Sequence, residues 1–364
     1  MLYSRLTFTS ELNAEAILPP FKGSTFRGAF GTALKRVVCA LERQDCQSCL
    51  LGNRCVYSFF FERKESCTKG GKDIPSPPHP FVIEPPMTTQ EHFNSGDSFN
   101  FNLILFGRAN DYLPYCIYAF DQMGRIGIGR HINGKRAGFV LKTVSAHGKT
   151  IYSSQDQRLI RDDFTSVLKL PDWQEQKQQE QGSDGQGAHE QGPHEQEPPG
   201  REPPGGEPHG ENPHGENLHG EVKRLTIHLI TPLRIKYENH LKADLPFHVL
   251  IRAALRRISS LFACYGEEHE EHEEHGGQPA LDYTGIVTRA MDQDIQIQES
   301  DLHWFDWERY SNRQEVKMLM GGMVGSISYT GNLGEFLPLL RLCEEVHLGK
   351  QSTFGLGQIA VEVE

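Results

Sequence analysis

The sequence predicts an α+β protein made of two similar halves, each of which pairs helices with an antiparallel sheet. Two observations carry this prediction. Short segments recur in the same order: SRLTFT at 4–9 corresponds to KRLTIH at 223–228, and the helical pattern of 18–38 corresponds to that of 245–262. Each half also closes near a glycine-rich stretch. A duplicated unit of strand, helix, further strands and glycine loop, with a ferredoxin-like arrangement, explains both observations.

The helices follow from hydrophobic periodicity. In residues 26–41 the apolar side chains follow the i, i+3, i+4, i+7 series, and Ser24 or Thr25 is the expected N-cap. Residues 250–262 carry a similar apolar stripe in the second half, and residues 335–347 predict a last helix before the final glycines. The basic residues of the first two helices fall on faces outside these stripes.

Composition divides the chain into three parts. Residues 1–171 and 222–364 predict the two folded halves, and residues 172–221 form a linker that is rich in Pro, Gly, His and Glu. The linker has almost no apolar residues to bury, so we expect it to be disordered. A smaller acidic, histidine-rich insert occupies residues 266–277, and we interpret both segments as solvated spacers.

The net charge of −11 comes from these two segments. Residues 172–221 contribute −10 and residues 267–274 contribute −6, which leaves +5 for the rest of the chain. The folded part is therefore mildly basic, as a partner with a phosphate backbone requires. The sequence shows no N-terminal apolar signal and no apolar run of membrane-spanning length, so we expect a cytoplasmic protein without a membrane partner.

Four of the eight cysteines lie close together, in the segment CALERQDCQSCLLGNRC. Clustered cysteines in a large chain without a secretory signal favour metal binding over disulfide cross-links. Four thiolates would close a tetrahedral zinc site and leave no position for an activated water, so the predicted zinc is structural and there is no catalytic metal. Unligated thiols are the alternative. The predicted ligands are Cys39, Cys46, Cys49 and Cys55.

Two glycine-rich segments predict contacts with phosphate. Gly349-Lys350 lacks the spacing of a nucleotide-binding P-loop, and too few residues follow Gly357 for a dinucleotide-binding unit. The segment 127–138 combines four glycines with four basic or imidazole side chains, which suits a polynucleotide backbone or, alternatively, a simple basic hairpin. With the two basic helices, these loops favour RNA as the ligand.

His347 and Lys350 are the first catalytic candidates. A histidine at the C-terminus of a helix feels the negative end of the macrodipole, which favours its protonated form and suits a general acid or a phosphate contact. Capping or packing is the alternative role. Tyr310 lies in an aromatic segment that could stack on bases or form a packed cluster around Trp304 and Trp307. Motifs for serine hydrolases, zinc proteases or two-metal nucleases are not evident, so a nuclease here would be independent of metal.

The ordered set of segments resembles a known family. PPFKGSTFRGAFGTALKRVVC, the cysteine cluster, HPFVIEPP, FNLILFGRANDYLPYCIYAF, GRIGIGR, WERYSNRQ, GGMVGSISYTG and HLGKQSTFGLGQIAVE together resemble the CRISPR-associated RAMP endoribonucleases that process precursor CRISPR RNA. The resemblance covers nearly all of both folded halves. It implies tandem ferredoxin-like, RRM-like domains and an RNA-binding glycine loop near the C-terminus.

The resemblance also implies a reaction: the ribose 2′-OH attacks the adjacent phosphate and leaves a 2′,3′-cyclic phosphate and a 5′-OH. Many members place a catalytic histidine in the first helix, and STFRGAFGTALKRVVCALE has none. Lys22, Arg27, His131 or His347 then has to substitute. The alternative is a non-catalytic RAMP subunit that grips guide RNA beside other effector subunits.

The predicted site residues follow from these arguments. The catalytic set is His347, Lys350, Tyr310 and Lys22. The predicted RNA-binding residues are Arg27, Lys35, Arg130, His131, Lys135, Arg136, Arg252, Arg256, Arg313, Gly349, Gly355 and Gly357.

Overall fold

The computed structural model describes residues 1–41, 45–62, 67–69, 72–160, 164–170, 222–266, 282–311 and 316–364. The predicted linker and the acidic insert lie outside the described residues, apart from the insert's first residue, Gly266. The domain boundaries that the sequence suggests around them stay predictions.

The first half forms a mixed antiparallel structure around one large sheet. Its helices are α1 (Gly23–Val38) and α2 (Leu113–Ile126). Its strands, in chain order, are β1 (Leu2–Leu12), β2 (Ala16–Ile17), β3 (Thr68–Lys69), β4 (Lys72–Asp73), β5 (Phe81–Glu84), β6 (His92–Phe93), β7 (Ser98–Phe106), β8 (Ile128–Ile132), β9 (Lys135–Ala137), β10 (Phe139–Ala146), β11 (Lys149–Ser153), β12 (Arg158–Leu159) and β13 (Ser166–Val167). The main sheet has the order β12-β11-β10-β1-β7-β5, and β13 pairs with β1.

The second half repeats this plan. Its helices are α3 (Phe247–Tyr265), α4 (Tyr283–Arg289) and α5 (Leu337–Val346). Its strands are β14 (Arg224–Leu233), β15 (Gln296–Ser300), β16 (His303–Ser311), β17 (Val316–Thr330) and β18 (Ile359–Val363), in the order β15-β17-β14-β18 with β16 also paired to β17. The mixed α/β class with antiparallel sheets, predicted from the sequence, is confirmed.

The helix predictions hold with one correction. Helix α1 covers the periodic segment, but it begins at Gly23, and neither Ser24 nor Thr25 caps it. Lys22 takes the cap position without a side-chain hydrogen bond to the helix. Gly23, the first residue of the helix, lies so close to the carbonyl oxygen of Phe354 that an added Cβ would be 1.9 Å from that oxygen.

The two halves share apolar packing. One face of the first sheet packs against α1 and α2 around Phe8, Phe30 and Phe120. Residues on its other face, including Val82 and Ile104, belong to the same buried cluster as the core of the second half. Because side chains alternate along a strand, β5 and β7 can contribute to both cores at once. The first sheet therefore lies between its own helices and the second half.

Among the described residues, no helix combines the length and the apolar character that crossing a membrane requires.

Candidate nucleic-acid interface

The glycine loop, residues 348–357, follows α5 and is closed at its base. The backbone N–H of Leu348 donates to the carbonyl of Gly357 at 2.7 Å, and the N–H of Gly357 donates to Pro232 at 3.1 Å. Gly355 and Gly357 have φ angles of 79° and 77°, in the region that favours glycine. These contacts give the loop a fixed shape.

The first half supports this loop directly. A Cβ on Gly355 would lie 2.7 Å from the carbonyl oxygen of Ile83 and 2.5 Å from Cδ of Pro85, so only glycine allows the approach. On the other side, Nε of Arg27 donates to Oγ1 of Thr353 at 3.0 Å. The Arg27 guanidinium also stacks 4.6 Å from the ring of Phe354. Arg27, predicted to bind RNA, thus fastens the glycine loop to α1.

Four cations gather beside the loop, and we call them the cationic cluster: Arg234, Lys236, Arg256 and Lys350. Lys236, Arg256 and Lys350 are exposed, and Arg234 is half-buried. Burial and the charges of Lys236, Arg234 and Arg256 lower the pKa of Lys350. In the described part of the chain, no carboxylate forms an ion pair with any of the four. The cluster therefore presents unbalanced positive charge to solvent.

Backbone contacts hold the cluster in place. The N–H of Lys350 donates to the carbonyl of Arg234 at 2.9 Å, which ties the glycine loop to the chain leaving β14. The Arg234 guanidinium donates to the carbonyl of Gly321 at 2.6 Å. Arg252 is half-buried and lies one turn before Arg256 on α3. Burial lowers the pKa of His248, and the charge of Arg252 lowers it further. Of these two predicted RNA-binding arginines, Arg256 lies beside Lys350, and Arg252 lies one helical turn from Arg256.

The sequence analysis missed Arg234 and Lys236. In LRIKY they alternate with Leu233 and Ile235, which are buried. That alternation is the signal that could have found them, since residues two apart on an extended chain point to the same side.

His347 has a different environment from the one predicted. Its side chain is fully buried. Nε2 lies 2.8 Å from Oε1 of Glu84, and Nδ1 lies 3.0 Å from the carbonyl oxygen of Leu356. A buried ring with both nitrogens engaged does not reach a bound RNA, so direct acid–base work by His347 is not what this geometry supports. The alternative packing role agrees with the structure.

The carboxylate partner of His347 is itself highly constrained. Glu84 also accepts a hydrogen bond from Arg5, and its second oxygen accepts one from Asn102 at 2.7 Å. Burial alone would raise the pKa of Glu84, but the hydrogen bonds and charges of His347 and Arg5 outweigh it and lower the pKa to about 2. Glu84 is therefore a buried, ionised carboxylate between the two halves.

Comparison with known proteins finds two family models that each match part of this chain. Residues 227–359 match the family described as CRISPR-associated endoribonuclease Cas6. This range contains the glycine loop and all four members of the cationic cluster. The second half of this chain is therefore similar to the Cas6 family. Residues 1–164 match a second family described as an N-terminal domain.

The individual proteins to which this chain is similar are distant from it. An uncharacterized protein of Archaeoglobus fulgidus is 32% identical over 111 residues, which cover 30% of this chain and 37% of that protein. The match to a Cas6 product complex covers 99% of this chain and 100% of the Cas6 chain in that complex, at 11% identity and a TM-score of 0.49. The match to Thermus thermophilus Cas6 covers 99% of this chain and 98% of that protein, at 10% identity and a TM-score of 0.45. A partial Cas6-RT-Cas1–Cas2 complex is 14% identical with a TM-score of 0.49, and the chain spans 46% of its length.

Lys22, a predicted catalytic residue, does not join the cationic cluster. Its side chain is buried, and Nζ donates to the carbonyls of Pro20 at 3.1 Å and Thr88 at 2.6 Å. Burial lowers its pKa, opposed by the charge of Glu91. These contacts fix the chain before α1, and a direct contact of Lys22 with RNA is not supported.

The basic segment of the first half is a hairpin. Arg130, His131, Lys135 and Arg136 lie on β8 and β9 and are all exposed. Asn133 and Gly134 form its two-residue turn, with φ angles of 51° and 80°, as expected for a tight hairpin. Both interpretations of this segment, RNA contact and plain hairpin, stay open on this geometry.

The cysteine segment lies near Lys35. A hydrogen bond with Cys46 raises the pKa of Lys35, against the effect of burial, and the Lys35 ammonium lies 5.3 Å from the ring of Tyr57. Lys35 is thus engaged with the cysteine segment. The four predicted zinc ligands are partly exposed free thiols. Within the described ranges no three His, Cys, Asp or Glu side chains are grouped to hold a metal ion, so the zinc site stays a prediction.

A disulfide joins two other cysteines. Cys67 is bonded to Cys264, 197 positions away near the end of α3. The clustering of four of the eight cysteines and the absence of a secretory signal favoured metal over cross-links, and for Cys67 and Cys264 this prediction is wrong. The cross-link ties the first half to the second.

The aromatic segment is a strand. Trp307 packs on Phe21 and Phe305, with ring centroids 5.0 Å and 5.7 Å away, which supports the packed-cluster interpretation for this tryptophan. Tyr310 pairs with Lys317 in the hairpin of β16 and β17. Arg313 lies outside the described residues.

Proposed function

We propose that this chain is an endoribonuclease that processes precursor CRISPR RNA within its repeat. The cationic cluster on the glycine loop is the observation that carries the proposal, because unpaired cations beside glycine-lined backbone are what a phosphodiester requires. The family match over residues 227–359 supplies the substrate class. Each half is proposed to be a ferredoxin-like unit, since the orders β10-β1-β7-β5 and β18-β14-β17-β15 both follow from strand–helix–strand–strand–helix–strand connectivity.

The proposed reaction is a transesterification within the RNA. The 2′-oxygen attacks the adjacent phosphorus, the bond from phosphorus to the 5′-oxygen breaks, and the products are a 2′,3′-cyclic phosphate and a 5′-OH. Such a reaction needs a base for the 2′-OH proton, cations for the charge that develops on the phosphorane, and an acid for the leaving oxygen.

Lys350 is the residue that we assign to the leaving 5′-oxygen. Lys350 is exposed enough to reach a ligand. Partial desolvation and three neighbouring cations lower its pKa, so its ammonium gives up a proton more readily than that of an ordinary lysine. Arg234, Lys236 and Arg256 then stabilise the negative phosphorane oxygens. The cluster thus supplies two of the three requirements from one side of the glycine loop.

Incubation of the purified chain with end-labelled repeat RNA in EDTA, followed by a denaturing gel, tests the proposal. A single cut with a cyclic-phosphate end supports it. Tight binding without any cut across several repeats would overturn it in favour of an RNA-gripping subunit. Weak binding of every repeat would remove RNA as the ligand. Duplex DNA of the same sequence is the control substrate.

A further inference from the structure

Glu84, on β5, is the point where the first half holds the glycine loop of the second. It is 3% exposed, and its two oxygens accept hydrogen bonds from Arg5, His347 and Asn102. Removal of a buried carboxylate with this many donors costs a large free energy, because each donor would lose a charged partner. Neither the family match nor the proposed reaction assigns a role to Glu84.

His347 transmits this contact to both ends of the loop. It is the residue that directly follows α5, and its Nδ1 lies against the carbonyl of Leu356 at the far end of the loop. Its φ of 60° and ψ of 147° are unfavourable for a residue with a Cβ. Nε of Arg257, itself buried, donates to the His347 carbonyl at 3.0 Å. The strained conformation is therefore held from three sides.

The loop also touches the chain on either side of Glu84. Gly355 lies against the carbonyl of Ile83 and the ring of Pro85. Lys350 is in turn fixed by its backbone hydrogen bond to Arg234. A chain of direct contacts thus leads from Glu84 through His347 and the loop to the cationic cluster.

We infer that Glu84 is a positioning residue that, through His347, sets the glycine loop and with it the place of Lys350 at the scissile phosphate. The inference rests on the proposed function for its catalytic readout. Its structural readout, the order of the loop, is independent of RNA. A group displaced by about 1 Å can lose about 100-fold in rate, so a small movement of the loop is enough.

The decisive comparison uses Glu84→Gln, Lys350→Ala and the double variant, with Glu11→Gln as the matched control. Glu11 is a half-buried carboxylate of the same first sheet, paired with Lys142 at 3.2 Å. We expect Glu84→Gln to lower the single-turnover cleavage rate about 100-fold while the Kd for repeat RNA changes less than about threefold. In the Lys350→Ala background, Glu84→Gln should cause no further loss of rate. Fully additive losses would overturn the inference.

Hydrogen exchange of the free protein separates this inference from the proposed function. The amides of Leu348, Lys350 and Gly357 should exchange faster in Glu84→Gln than in Glu11→Gln, whether or not the chain cleaves RNA. Unchanged exchange at all three amides would overturn the positioning role. If Glu84→Gln unfolds at the assay temperature, His347→Gln, which loses the ring contact with Leu356, is measured in its place with the same expected results.

Discussion

His347 and Glu84 join the two halves through a hydrogen bond of 2.8 Å between Nε2 and Oε1, and both side chains are buried although they are 263 positions apart in the chain. The bond places an ionised carboxylate of β5 at the base of the glycine loop. Stability and loop geometry therefore depend on the same pair.

Acid should weaken the fold through Glu84. Because its folded-state pKa of about 2 lies below its ordinary value of 4.5, Glu84 stabilises the fold fully above that ordinary value and loses this contribution as the pH falls towards 2. At neutral pH, Glu84→Ala should lower the free energy of unfolding by about 3 kcal/mol, since it leaves buried donors unpaired. Urea unfolding between about pH 2 and pH 7 should show the difference from wild type shrinking in acid. Glu11→Gln is the control, and a difference that does not change with pH would contradict this account.

The cationic cluster should bind the RNA backbone without regard to base sequence. Lys236→Ala should weaken binding of all repeat RNAs and reduce the slope of log Kd against log salt by about one. Lys242→Ala is a close control, because Lys242 is a nearby exposed lysine that is already paired with Glu238 at 3.2 Å. Equal effects of the two substitutions on the salt dependence would show that Lys236 makes no phosphate contact.

Gly355 should be far more sensitive to substitution than Gly134. Both have φ near 80°, so alanine adds similar backbone strain at each position. Gly134 has no neighbour within 4 Å of the added Cβ, whereas Gly355 lies against Ile83 and Pro85. Gly355→Ala should thus lower the free energy of unfolding by about 2 kcal/mol more than Gly134→Ala, measured by urea unfolding. Similar losses would mean that the loop can move away from β5.

The Cys67–Cys264 disulfide should stabilise the assembled halves. It closes a loop of 197 positions, and cross-links of this kind contribute about 2 to 4 kcal/mol. A reducing agent should therefore lower the Tm of the wild-type chain and leave that of Cys67→Ser/Cys264→Ser unchanged. A Tm of the wild type that does not respond to reduction would contradict the prediction. Peptide mapping without reductant identifies the linked pair.

Much of the fold could be predicted because many of its helices and strands depend on residues that are close together in the sequence. The apolar stripe of α1 depends on residues close in sequence, and the glycines of the loop lie near one another in the sequence. The burial of His347 could not be predicted in this way, because its partner Glu84 belongs to the other half. The same limit applies to the pairing of Cys67 with Cys264.

The basic residues that were predicted from the sequence differ in whether they face solvent in the structure. Lys350 and Arg256 were found as basic residues and do lie together beside the loop. Arg27 and Lys22 have the same charge, yet Arg27 donates to Thr353 and Lys22 donates to backbone carbonyls within the protein. A sequence shows which side chains are cationic, but only the packing shows which of them still face solvent.

The most direct measurement of the central claim replaces one ribose of the repeat RNA. With a 2′-deoxy nucleotide on the 5′ side of the cut, in EDTA, the proposed reaction loses its nucleophile. We predict that cleavage at that bond stops while the Kd for the RNA is unchanged. Cleavage of the deoxy substrate at the rate of the all-ribose RNA would contradict attack by the 2′-oxygen and the role assigned to Lys350.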